Sequence, residues 1–124
     1  RQGRETRAAQ LTADRAAAAL DALTALVGAA DAHLRTLHVR QELEIAQEDL
    51  AAADAAGRET GTALLLALTR VRLLTPALAP TALKAYRAVE LVKYIVEPTN
   101  LVAVKLRAQY AIDDLVIEAA EHLA

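Results

Sequence analysis

Cysteine, serine, methionine, phenylalanine and tryptophan are all absent from this 124-residue sequence. Without cysteine there is no disulfide, thiolate nucleophile or thiolate zinc ligand, and the redox compartment is left open. Without serine the commonest hydrolase designs are excluded, which leaves Thr, Tyr, Lys and the carboxylates as nucleophiles. No glycine-rich phosphate loop and no HExxH metal motif occurs. The Glu-x-x-His pair of di-iron bundles is missing too. The sequence therefore leads to the expectation of a non-enzymatic chain with no metal and no cofactor.

A natural chain of this length rarely drops five residue types together. That gap, with alanine and leucine dominant, fits a designed or generated (de novo) protein. The excess of Arg over Lys, and Thr and Val within apparent helices, fit a natural one, because propensity-driven design favours Lys and Glu. Composition leaves both origins open.

The formal charge of −2 and a pI near 5.9 exert no global pull toward nucleic acid or anionic lipid. Lys84, Tyr86, Arg87, Lys93 and Tyr94 mix cations with rings, but Glu90 and Glu97 dilute them and no nucleic-acid motif is present. Nucleic acid is accordingly not the expected partner. The longest weakly charged run, "GTALLLALTRVRLLTPALAPTAL", holds Arg70 and Arg72 mid-run and Pro76 and Pro80 after them, so it should not insert into a bilayer. The expectation is a chain without a membrane span or secretory signal, located in the cytoplasm. Arg1, Arg4 and Arg7 would also suit the basic flank of an upstream anchor.

What is present is helical periodicity. Ala9, Ala13, Ala16, Leu20, Leu23 and Val27 recur at alternating four- and three-residue steps. A second seam, Ala32, Thr36, Val39, Leu43, Ala46, Leu50 and Ala53, is out of phase with the first. Gly28, a residue favoured just past a helix end, and Asp31, a good N-cap, lie between them and predict a hairpin. The alternation in "LHVRQELEI" is also that of a strand, but no second run would pair with it.

The pattern as a whole predicts a single all-α domain over 1–124. It is an antiparallel four- to five-helix bundle with helices about 4–27, 32–56, 62–74, 76–96 and 100–123. Gly57 ends the second helix and Pro98 the fourth. The third helix, apolar nearly all round, reads as a buried element, and Thr75 as cap with Pro76 as first helical residue opens the fourth, or Pro80 in that role if the turn is looser. Leu101, Val104, Ala108, Ile112, Leu115 and Ala119 form the inward face of the last helix.

Two functional readings follow. In the first, the chain is a scaffold or protein-interaction module. Second apolar ridges, Leu34, Leu37 and Ile45 on one helix and Leu106 and Ile117 with Val102 and Tyr110 on another, then meet a protein partner or a second copy. In the alternative the bundle binds a small molecule in an internal pocket oriented by Gln41, Arg70, Tyr110 and Asp113, polar residues set among apolar ones. An Arg70–Asp113 buried ion pair would be the structural equivalent of that pocket. The histidines are read as surface residues, with His38–Glu42 and Glu118–His122 at pairing distance along a helix.

Overall fold

The computed structural model describes residues 2–124; Arg1, one member of the basic flank considered above, lies outside the described residues. Four helices, α1 (Gln2–Ile45), α2 (Ala51–Leu74), α3 (Ala79–Glu90) and α4 (Pro98–Leu123), make up the chain with two short 3-10 turns, Pro76–Leu78 and Leu91–Tyr94. No strand occurs among the described residues. The all-α bundle expected from periodicity is the observed fold.

The predicted hairpin at Gly28 is overturned, because α1 runs unbroken for 44 residues. Gly28 is exposed, has helical φ and has nothing within 4 Å of where a Cβ would sit. A glycine there weakens a helix by only about 1 kcal/mol, less than the continuous burial on either side of it provides. That burial is the stripe Ala22, Leu26, Ala30, Leu34 and Leu37, all under 6% exposed. The out-of-phase seam is not one helix face: Ala32, Thr36, Val39 and Leu43 lie on α1 beside the buried stripe, with Val39 53% exposed and the other three half-buried, while Ala46 and Leu50 fall in the following loop and Ala53 in α2.

The chain instead reverses at Ala46–Leu50. Gln47 takes a left-handed φ of 59°. The Glu48 amide donates to the Leu43 carbonyl at 2.9 Å and the Gln47 amide to Glu44 at 3.0 Å. This is a helix-ending loop normally built on glycine, here built on glutamine. Asp49 Oδ1 then accepts from the Ala51 amide at 3.1 Å, opening α2.

Gly57 likewise lies inside α2 rather than at a helix end. Contrary to the expectation of a wholly buried element, α2 buries only the side carrying Leu64, Ala67, Leu68 and Val71, and exposes Leu65, Leu66, Leu73 and Leu74. Thr75 is buried and does not cap the following turn. Its hydroxyl donates back to the Val71 carbonyl at 3.1 Å. Pro98 is the first residue of α4, where its missing N–H is harmless, and Glu97 caps the helix by accepting from the Asn100 amide at 2.8 Å. On α4 the expected inward face holds: Leu101, Ala108, Ile112, Leu115 and Ala119 are buried and Val104 is half-buried.

Arg40 meets Asp54, and His33 meets Thr60, so α2 descends antiparallel to α1. His33 also meets Glu90 at the top of α3, and Gln41 meets Ile95 just before α4 begins. Leu123, at the other end of α4, lies beside Leu20. The helices thus alternate in direction around a core running from Ala19 to Gln41 of α1. Residues 3–17 of α1 are all exposed and extend beyond the bundle as a helical arm. By length and composition α1 is also apolar enough over one 18-residue window to cross a membrane, with 39% of that window buried inside the bundle.

Candidate functional site

Where α1, α2 and the end of α3 meet, an open groove of about 760 Å³ runs across the bundle. His33 forms part of its lining and is only 3% exposed. The helix brings it there because it follows Leu26 and Ala30 on the core-facing stripe. Its Nε2 lies 3.0 Å from Glu90 Oε1 and its Nδ1 2.7 Å from Thr60 Oγ1. Nε2–H can donate to the Glu90 carboxylate, while the single Thr60 hydroxyl proton is shared between two acceptors, His33 Nδ1 and the Ala56 carbonyl at 3.0 Å. The ring fits because Gly61 faces it. A Cβ on Gly61 would lie 3.1 Å from His33 Cε1.

Glu90 is shared. Its Oε2 accepts from Lys93 Nζ at 2.7 Å, and this bond raises the Lys93 pKa above the ordinary lysine value despite the opposing effect of desolvation. Lys93 also sits 5.2 Å above the Tyr94 ring. Farther along, Arg40 Nε donates to Asp54 Oδ1 at 2.7 Å and its Nη1 to Glu44 Oε2 at 2.7 Å and Gln41 Oε1 at 2.6 Å. The bond to Asp54 is the chief reason the Arg40 pKa is raised. Arg58 lines the same groove, with Tyr86 and Leu65 supplying apolar wall.

The groove therefore has paired ions at its edges, an aromatic rim and a buried imidazole. Arg40, Glu44, Asp54, Glu90 and Lys93 are engaged with one another, so they fix the wall geometry rather than waiting for a charged ligand. No group of three His, Cys, Asp or Glu side chains converges as a metal site among the described residues.

The proposed internal pocket does not form. Gln41 is fully buried, accepting from Arg40 and donating to the Ile95 carbonyl at 2.5 Å. Arg70, Tyr110 and Asp113 are exposed, Tyr110 by 63%, and among the described residues Arg70 and Asp113 form no ion pair with each other. Helical periodicity put these residues on apolar stripes. The stripes carrying Arg70 and Asp113 turned out to face water. Gln41 alone met the requirement that a buried polar group be satisfied.

The interface candidates divide in the same way. Leu34 and Leu37 are core residues and Ile45 packs against the core, so they present no free ridge. Leu106 and Ile117 are 44% and 59% exposed, and Val102 and Tyr110 extend the same exposed stretch of α4. His38 pairs with Glu42 at 2.9 Å as expected, whereas Glu118 accepts from Thr81 rather than pairing with His122. His33 and Glu90 escaped the sequence reading. A continuous α1 would have shown His33 in phase with Ala30 and Leu37.

Residues 20–123 match the family model described as KilB plasmid transfer protein. No curated protein and no solved structure matches. The match begins where α1 enters the bundle, leaving the arm outside it. A natural family over most of the chain does not fit the designed origin that the missing residue types suggested.

Proposed function

The chain belongs to the KilB plasmid transfer protein family, and from that premise we propose that it serves plasmid transfer as a non-catalytic scaffold and protein-interaction module, working in the cytoplasm. The observation that carries this reading is the outer side of α4, where Val102, Leu106, Tyr110 and Ile117 are each 44–63% exposed. Single exposed apolar side chains are ordinary, but a row along one helix is the surface that a partner helix or groove covers. The groove by His33 supports the same reading, since Arg40 with Glu44 and Asp54, and Lys93 with Glu90, are paired along its walls.

The test is a plasmid transfer assay with the Leu106→Glu/Ile117→Glu double variant. Both side chains are exposed, so helix content and melting temperature should stay near those of the unmodified protein. Burying two carboxylates at a protein interface is costly, so transfer should fall at least about tenfold. Undiminished transfer by this folded variant would overturn the assignment of α4 as the partner surface.

A further inference from the structure

We propose that the outer side of α4 is covered by a second copy of this chain, which presents the outer side of its α2. The inference rests on the reading of α4 as a partner surface and names that partner.

On α2, Leu66 and Leu73 are 65% and 77% exposed, and Arg70, also exposed, lies between them. At 3.6 residues per turn the three fall within about 60° of arc, on the side away from the buried Leu64, Leu68 and Val71. On α4, Tyr110 and Ile117 are 63% and 59% exposed with Asp113 between them, and this trio also spans about 60° of arc, away from Ala108, Ile112 and Leu115. Each ridge is thus two large apolar side chains around one charge, and the two charges are opposite.

The order of the steps fixes a direction. Leu66, Arg70 and Leu73 advance by four and then three residues, the spacing of a two-helix seam, whereas Tyr110, Asp113 and Ile117 advance by three and then four. With the two helices antiparallel and Arg70 against Asp113, Leu66 meets Ile117 and Leu73 meets Tyr110 in a single register. A parallel pair would miss each apolar match by one residue.

The central charges lack a complement within the molecule. No acid lies within one turn of Arg70 on α2, no Lys or Arg within one turn of Asp113 on α4, and neither residue makes an ion pair among the described residues. An anionic membrane would attract Arg70 but repel Asp113, whereas a second copy satisfies both. α2 and α4 each touch α1 and α3 and, among the described residues, not each other. They lie diagonally across the bundle, so their ridges point in opposite directions. The contact is therefore heterologous and continues head to tail instead of closing as a dimer.

One helix pair buries less than the roughly 800 Å² per partner typical of stable complexes, so association should be weak and reversible. Sedimentation equilibrium of the full chain from micromolar to millimolar concentration should show the mass rising from 13.2 kDa past twice that value. Arg70→Asp and Asp113→Arg each set like charges against each other and should weaken association at least about tenfold. Helix content should not change, because both side chains are exposed. An equimolar mixture of the two variants restores opposite charges at every α2–α4 contact and should regain the mass of the unmodified protein. The chain has no cysteine, so Leu66→Cys mixed with Ile117→Cys should form a disulfide-linked pair on mild oxidation that neither variant forms alone.

Association that survives Arg70→Asp, or that does not recover when the two variants are mixed, would overturn the proposal. A monomer at every concentration would overturn it as well, including one that binds phosphatidylcholine/phosphatidylglycerol vesicles instead. If transfer is still lost with Leu106→Glu/Ile117→Glu in that case, α4 meets a different protein and the module reading stands. Recovery on mixing together with transfer unaffected by Leu106→Glu/Ile117→Glu would support the contact between copies and count against the role of α4 in transfer alone.

Discussion

His33 on α1 and Glu90 on α3 meet at 3.0 Å across the wall of the groove, with Thr60 of α2 on the other ring nitrogen at 2.7 Å. One imidazole thus ties three helices together where their backbones would otherwise be held only by apolar contact. His33→Ala removes both bonds, strands the half-buried Glu90 carboxylate with only Lys93, and leaves a cavity. The expected loss is about 2–4 kcal/mol in urea melts. A loss under about 0.5 kcal/mol would show that the ring is not structurally engaged.

Gln41 is the most enclosed polar side chain, and it holds the Ile95 carbonyl just after the 3-10 turn that leads to α4. Gln41→Ala should cost roughly 2–4 kcal/mol, combining a cavity with an unsatisfied carbonyl and a weakened Arg40 network. By contrast, Arg70→Leu and Asp113→Ala should each change stability by no more than about 0.5 kcal/mol, because both side chains are exposed. The same urea melts separate the three.

Lys93 and Arg40 have pKa values raised by hydrogen bonds to Glu90 and Asp54 respectively. For Lys93 the sign follows directly. A raised folded pKa gives stabilisation fully present below the ordinary lysine value of 10.5, and lost as pH rises through the folded value. Its side chain is 41% exposed, so the pair is worth no more than about 0.5 kcal/mol. The difference in melting temperature between the unmodified protein and Lys93→Gln should be small at pH 7 and should close above pH 10.5. A difference that widens with alkalinity would reverse the assignment.

The glycines test the helix boundaries. Gly28→Ala and Gly57→Ala should each stabilise the protein by about 0.5–1 kcal/mol, since both positions are helical with open space at the Cβ. Gly61→Ala should gain less or lose, because its methyl would press on the His33 ring at 3.1 Å. Thermal melts of the three variants rank them. Destabilisation at Gly28 would point back to a turn there.

How much of this was legible in the sequence depended on which signal competed with which. The inward face of α4 was read correctly because a long amphipathic period had no rival. The break between α1 and α2 was misplaced because glycine and aspartate rules favoured Gly28 and Asp31, whereas the left-handed residue that ends α1 is Gln47. That error had consequences further along. Splitting α1 placed Leu34 and Leu37 on a second ridge and His33 on a surface. The ion network of Arg40 with Asp54, and of Glu90 with His33, joins residues 14 and 57 positions apart, and only the packing of helices brings them together. The buried fate of Gln41 and the exposed fate of Arg70 and Asp113 could not be separated by period alone, since each stripe was apolar and only tertiary contacts say which one is covered.

The fold rests on α1 being one rod that leaves the bundle as an arm. The most direct test is the distance between spin labels at Leu11→Cys and Val39→Cys, positions 51% and 53% exposed. Labelled chain should be diluted in unlabelled chain so that only distances within one molecule are read. A continuous helix separates these positions by 28 residues, about 42 Å at 1.5 Å per residue, and a distribution centred there is expected. A distribution centred below about 20 Å would contradict the account, because it would fold the arm back at Gly28 and pack it beside the helix from which it is said to project.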